Sequence, residues 1–362
     1  MNKIKVAFCV SSFRIGGAEQ VVVNLLKELS KDLFDIKIFV LEGQAFSKLE
    51  DEIKILNLDV VYLNKKEGLC LKTIWKLYQA LKKFRPNIIH AHLGGVLYSL
   101  LYAYLNKVTI IQTVHTDPFY EYKKLKRIIL KFMYRQKVII PVGVSTEISN
   151  KIKKLYNLSF LPYVIHNGIN FALYKRPIHR TSISTIGHIG RLEEVKNHWM
   201  IISVFSMLVK KYPNLHLYLV GSGSKEEEIK QQIKDNCLEN KVTLLGQIDN
   251  VPIVLQAIDL FFMPSYYEGL PLALIEAMAS GCVIVASCVG GIKDIIKDDI
   301  NGYLVDNPYD CEKFFSQINY LINHNERVLE ISKQNIIDAK KYSIEQMGMA
   351  YQSLYLDVLS SR

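Results

Sequence analysis

Two doubly wound α/β domains in tandem, facing one another, are what this sequence predicts, and three observations predict them. Strand-like and helix-like segments alternate through the first half and again through the second, the rhythm of parallel sheets with crossover helices. The 362 residues exceed what one ordinary core holds. Charge is also divided: residues 1–180 carry 29 Lys and Arg against 13 Asp and Glu, whereas residues 181–362 carry 16 against 22, which points to halves with different partners.

In the first half, 4–10 reads as a strand, 17–30 as a helix, 36–41 as a strand and 71–84 as a helix. A strand at 88–90 follows the Arg85-Pro86 break, and 108–114 and 138–144 are further strands. In the second half the strands are 182–187, 215–220, 242–246, 258–262 and 283–286, with helices at 197–211, 225–236 and 271–280 between them. Asn-Gly, Pro177 and basic residues replace periodic hydrophobics over 167–181, which places the linker there. Residues 1–170 and 171–342 are the expected domains, followed by a last amphipathic helix within 343–362 whose apolar residues include Met349, Leu354, Leu356 and Val358.

Composition excludes several classes. Hydrophobic residues make up 49% and charged residues 22%, a globular balance. The opening segment is too brief an apolar run for a signal peptide. The longest apolar stretch, 96–105, is too short to span a bilayer and reads as a buried helix. Six cysteines without a CxxC pair fit reduced thiols in a cytosolic protein. His90 and His92 share a face at a strand end, but no third ligand lies nearby in sequence to make a metal site. The basic first half lacks any helix-turn-helix, zinc-finger or RNP pattern, so a membrane surface or an anionic lipid-linked substrate explains it better than nucleic acid.

The richest stretch runs from Met263 to Glu276. Gly269 and Pro271 set a turn, a helix follows, Glu268 stands in the loop and Glu276 lies in the second helical turn. Unpaired N–H groups and the helix dipole suit a phosphate at such a start, and the two carboxylates suit sugar and ribose hydroxyls; the same pair could also be a cap and solvated surface. In Gly190-Arg191-Leu192-Glu193-Glu194-Val195-Lys196-Asn197, Arg191 and Lys196 flank a helix start and suit one diphosphate, Arg as a planar fork and Lys as a point charge. Gly16 and Gly17 follow the first strand and let backbone approach an anion, though the GxGxxG dinucleotide pattern is absent. Gly221 and Gly246 end neighbouring strands, where ligands of doubly wound sheets sit, and Ile248 is a candidate contact for a base. His115 ends a strand of the first domain, as a structural or a catalytic group, with Asp117 as a candidate to orient it. Residues 122–137 combine seven basic side chains with an apolar face, the pattern of a helix that either packs on its own domain or lies on an anionic membrane.

Glu268 and Glu276, eight apart across a Gly-Leu-Pro turn, together with Gly16-Gly17-Ala18-Glu19, Arg191/Lys196 and His115-Thr116-Asp117, resemble the family 4 retaining glycosyltransferases of bacterial capsule, exopolysaccharide and O-antigen synthesis. The resemblance implies a GT-B fold, two Rossmann-like domains across a cleft, the first for the acceptor and the second for a nucleotide sugar, with a terminal helix crossing back to the first. It implies that Arg191 and Lys196 hold the diphosphate, Glu268 the sugar hydroxyls and Glu276 the ribose. Backbone at Gly16, Gly17, Gly269, Leu270 and Pro271 would complete the phosphate cradle, and His115 would lie near the transferred sugar. The segment His166-Asn167-Gly168-Ile169 matches the family's interdomain turn. No metal or other cofactor is expected, and no DxD triplet occurs. The expected reaction moves a hexose or N-acetylhexosamine, from UDP most readily, to a saccharide on a polyprenyl diphosphate at the inner face of the plasma membrane. A nucleotide-sugar epimerase of the same fold and a non-catalytic two-domain binding protein are the alternatives.

Overall fold

The structure is a computed structural model that describes residues 3–174 and 180–361. The chain forms two compact units, one of Met1–Gly168 with Ile344–Arg362 and one of Ile169–Ser343. Part of the expected linker, 175–179 with Pro177, lies outside the described residues.

The first unit is built on β1 (Ile4–Val10), β2 (Phe34–Val40), β3 (Asp59–Tyr62), β4 (Ile88–His92), β5 (Thr109–Val114), β6 (Ile139–Gly143) and β7 (Tyr163–Val164). Its helices are α1 (Gly17–Glu28), α2 (Lys48–Ile55), α3 (Leu71–Phe84), α4 (Gly95–Asn106), α5 (Pro118–Glu121), α6 (Lys124–Arg135) and α7 (Thr146–Tyr156). All strands are parallel, in the order 3-2-1-4-5-6-7, so the winding reverses between β1 and β4. Strands β1, β4 and β5 are buried on both faces, which explains their near-continuous Val, Ile and Phe content.

The second unit contains β8 (Thr185–Ile189), β9 (His216–Val220), β10 (Val242–Leu244), β11 (Leu260–Met263), β12 (Val283–Ser287) and β13 (Tyr303–Val305). Its helices are α8 (His198–Lys211), α9 (Glu226–Asp235), α10 (Val251–Ala257), α11 (Leu272–Ala279), α12 (Ile292–Ile295), α13 (Cys311–Asn323) and α14 (Asn325–Ala339). The sheet is parallel in the order 10-9-8-11-12-13, and its winding reverses between β8 and β11. On one face of this sheet a single core joins Leu217, Leu260 and Val283 of the strands to Ile201 and Phe205 of α8 and Phe314 of α13.

The chain ends in α15 (Ile344–Ser360), which belongs to the first unit and packs on α1. Gly348 makes this approach close: a Cβ there would stand 2.6 Å from Glu28 Cβ. Met347, Tyr351, Leu354, Tyr355 and Val358 form the buried face, while Met349 and Leu356 of the expected apolar set are exposed. A second correction concerns α4. It buries Val96, Tyr98, Tyr102 and Ala103, but Leu101, Tyr104 and Leu105 are exposed, so it is a half-buried helix with an apolar outer face. The six cysteines are free thiols.

Candidate active site

The best-formed polar cluster lies where the second sheet reverses its winding, outside the ends of β8 and β11, the position at which doubly wound sheets bind ligands. From β8 the chain turns at Gly190, whose lack of a side chain leaves room for the Lys196 stem; a Cβ there would lie 3.3 Å from Lys196 Cε. Asn197, in the left-handed region at φ 55°, caps α8 by accepting from Met200 N–H. Its amide donates to the carbonyls of Pro264 and Pro308, each at 3.0 Å, so one side chain ties the two loops together. Val195 O accepts from Tyr266 N–H at 2.9 Å.

Held in this way, Lys196 Nζ donates to Glu268 Oε1 at 2.6 Å, and Ser265 Oγ donates to the same oxygen at 2.7 Å. Both charged side chains are largely buried. The backbone of Glu268 is fixed from behind by the loop after β12, where Gly290 adopts φ +54° and a Cβ would stand 1.7 Å from Glu268 O. Only glycine fits there. The sequence assigned Lys196 and Glu268 separate tasks; the structure makes them one ion pair. Arg191 is exposed earlier in the same loop, and Gly269, Leu270 and Pro271 lead from Glu268 into α11, which has no side-chain cap.

Glu276 sits half-buried on α11 and accepts a hydrogen bond from Tyr174 Oη at 2.8 Å. Burial pushes its carboxyl from 4.5 up to about 7, opposed by the Tyr174 hydroxyl, whose own pKa is driven far up by burial and by the carboxylate. Gly221 at φ +139° lets its strand end close on the first loop, because a Cβ would lie 1.9 Å from Gly190 O, and its N–H donates to Gly246 O. Ile248 is half-buried in the loop beyond β10.

The remaining candidates belong to the first unit. Gly16 is the N-cap of α1, and Glu19, at the third helical position, folds back so that a Cβ on Gly16 would meet Glu19 Oε2 at 2.4 Å. This carboxylate stands beside the helix start that the sequence offered to a phosphate. Gly17 has open space around it.

His115, just beyond β5, is joined through Nε2 to His92 Nδ1 at 2.9 Å. Asp117 does not orient it: that carboxylate caps α5 by accepting from Phe119 N–H and pairs with Lys151 Nζ, each at 2.9 Å. His90 is held through Nδ1 by Tyr355 Oη at 2.6 Å and through Nε2 by Thr113 Oγ1 at 2.8 Å, and Thr113 also meets Tyr351 Oη at 2.7 Å. These rings hydrogen-bond rather than converge, and among the described residues no three His, Cys, Asp or Glu could hold a metal ion. A cavity of about 460 Å³ opens at the ends of β1 and β4, lined by Ser11, Glu42, Lys65, Tyr98, Glu121 and Lys126 among others.

Sequence reasoning missed Ser265, Asn197, Gly290 and Tyr174, and it weighed His92 only as a metal ligand, not as the partner of His115. Ser265 stands three residues before Glu268 and the pair Gly290-Gly291 follows a strand, so local signals existed for both. Tyr174 meets its partner 102 residues on, and His92 meets His115 across two strands, with no local signal.

Raised from 4.5 to about 7, the Glu276 carboxyl holds a proton in the folded chain that the unfolded chain releases. Its contribution is therefore fully present below pH 4.5 and is lost as pH rises through 7. Glu276→Gln cannot titrate and keeps an oxygen for Tyr174. Denaturation of both proteins between pH 4.5 and 8 should show the wild type falling relative to the variant by on the order of 3 kcal/mol. Parallel curves would mean that the carboxyl titrates normally.

Residues 15–173 match the family model described as Glycosyltransferase Family 4, and residues 177–338 match that described as Glycosyl transferases group 1. The chain is 24% identical to the UDP-Gal:alpha-D-GlcNAc-diphosphoundecaprenol alpha-1,3-galactosyltransferase of Escherichia coli, over 100% of this chain and 99% of that one. It is 25% identical to the capsular polysaccharide biosynthesis glycosyltransferase CapH of Staphylococcus aureus, over 92% and 95% respectively. Anabaena Alr3699/HepE, solved in complex with UDP, shares the fold with a TM-score of 0.85 at 19% identity, over 99% of this chain and 100% of that one. Two parallel-sheet units, a cation and a carboxylate meeting at the second switch point, and family matches along both halves identify this chain as a glycosyltransferase of family 4, with the GT-B fold.

Proposed function

We propose that this enzyme transfers a hexose or N-acetylhexosamine, with retention, from a UDP-sugar to a lipid-linked saccharide in cell-surface polysaccharide synthesis. The observation that carries the reading is the Lys196–Glu268 pair at the switch point between β8 and β11. A relative that uses UDP-Gal and a diphosphoundecaprenol-linked sugar, and another of capsule synthesis, support the donor and acceptor classes. These relatives are transferases, which favours transfer over epimerisation or binding alone.

In this reading Arg191 and Lys196 draw the diphosphate, Glu268 accepts from sugar hydroxyls and Glu276 from the ribose. The start of α11, with Gly269, Leu270 and Pro271, and the loops at Gly16, Gly17 and Gly221 supply backbone groups, and the backbone around Ile248 meets the base. Because Glu268 already neutralises Lys196, the pair is oriented before the donor arrives and reorganises little on binding. The reaction is a front-face substitution. The acceptor oxygen bonds to the anomeric carbon as the bond to the β-phosphate breaks, and the acceptor's proton passes to the departing phosphate oxygen. Cationic side chains stabilise the leaving diphosphate without a metal ion, and His115 stands near the sugar.

Titration with UDP, GDP and ADP by calorimetry should show UDP binding alone as tight. Ribose hydroxyls favour the ionised form of Glu276, so binding should strengthen from about pH 6 to about 8. Glu276→Ala should weaken it by at least about tenfold. Absence of nucleotide binding would overturn the reading of this site.

With a UDP-hexose and a lipid-linked acceptor, the product should keep the anomeric configuration by NMR, and a chelator should leave the rate unchanged. A trapped covalent glycosyl-enzyme would overturn the front-face path.

The first unit supports docking on a membrane. Helix α6 buries Leu130 and Tyr134 but leaves Leu125 73%, Ile128 59% and Phe132 51% exposed, beside Lys123, Lys124 and Arg127. Tyr104 of α4 and Phe132 line one shallow depression, continuing the apolar surface. No helix among the described residues is long and apolar enough to cross a membrane. We expect peripheral attachment to the inner leaflet through this face. Charge reversal at Lys123, Lys124 and Arg127 should abolish sedimentation with anionic liposomes; unchanged binding would sink this attachment.

A further inference from the structure

Two buried histidines of the first unit share a single hydrogen. His92 Nδ1 and His115 Nε2 lie 2.9 Å apart. Burial pushes His115 down to about 4 and His92 well below its ordinary value, so both rings are neutral at pH 7. A neutral imidazole carries one N–H, so whichever ring donates across this contact sets the tautomer of both.

The two assignments differ in what they bury. Donation from His115 Nε2 would oblige His92 to carry its own proton on Nε2, an atom that is buried with no partner. Donation from His92 Nδ1 leaves that Nε2 as a bare lone pair and puts the His115 proton on Nδ1. A buried N–H without an acceptor is rarer than an under-used acceptor, which favours the second arrangement. Neither nitrogen of His115 is among the buried atoms without a partner, and His115 keeps 9% exposure against 1% for His92. His92 is held from two sides. Phe8 stacks on it at 6.2 Å and 12°, and His90, itself fixed by Tyr355 and Thr113, lies at 4.3 Å.

We propose that His92 is a positioning residue that holds His115 in the Nδ1–H tautomer, so that the ring offers the transferred sugar a neutral hydrogen-bond donor. The inference rests on the reading of His115 as the histidine beside that sugar. An N–H there donates to a hydroxyl oxygen, whereas a bare nitrogen would demand a hydrogen from it.

The test uses the full chain with ¹⁵N-labelled histidine, read by long-range proton–nitrogen NMR, with UDP binding as the check on folding. Wild-type His115 should show a protonated Nδ1 and a bare Nε2. In His92→Asn the carboxamide nitrogen stands where Nδ1 stood, so the tautomer should persist and turnover of UDP-galactose or UDP-glucose should stay within about threefold. In His92→Asp only an acceptor remains. The His115 proton should move to Nε2, and kcat should fall by about tenfold or more, with the KM for the UDP-sugar little changed. A wild-type His115 protonated on Nε2, or Asn and Asp variants with the same tautomer and rate, would overturn the proposal. The wild-type spectrum suffices to do so even if the aspartate variant fails to fold. If the nitrogen shifts follow expectation but His115→Ala turns over like the wild type, the tautomer assignment stands and the placement of His115 beside the sugar falls.

Discussion

The contact between Lys196 and Glu268 is the constraint on which the second unit's site depends. Two opposite charges largely removed from water hold only when geometry and further hydrogen bonds compensate their lost hydration, and here Ser265 supplies one such bond. The surrounding architecture serves that geometry. Asn197 ties the β8 loop to the β11 loop, Gly190 clears space for the lysine stem, and Gly290 brings the β12 loop against the glutamate backbone. Three successive strand ends thus converge on one ion pair, and the parallel sheet is what brings those ends to the same edge.

The first unit uses neutral chemistry in the corresponding place. Its strand ends carry three histidines stripped of charge by burial, with Tyr355 of α15 bonding His90 and Tyr351 bonding Thr113 beside it. The switch point of the second unit is charged by contrast, through Lys196 and Glu268. Basic side chains also line the exposed face of α6, including Lys123, Lys124 and Lys126.

Much of this was legible in the sequence. Buried parallel strands announce themselves as short apolar runs, and the Gly269–Pro271 turn marked the start of α11. The reading did not resolve α13 and α14, nor the short strand β13, where polar residues interrupt the apolar pattern. Strand β8 lies two to three residues later than expected, because its pairing with β9 begins only at Thr185. At the site, residue identities were legible but pairings were not. Glu276 meeting Tyr174 and His115 meeting His92 are products of the fold, with nothing in local spacing to announce them.

The placement of α15 has a consequence for how the protein is made. The helix follows the whole second unit in the chain, yet its Tyr351 and Tyr355 satisfy Thr113 and His90 in the heart of the first. During synthesis the first unit emerges early but stays without these partners until α15, which follows the second unit, has left the ribosome. Its sheet must therefore wait, open along the α15 seat, while the second unit folds. A helix translated after the second unit closes the domain begun before it.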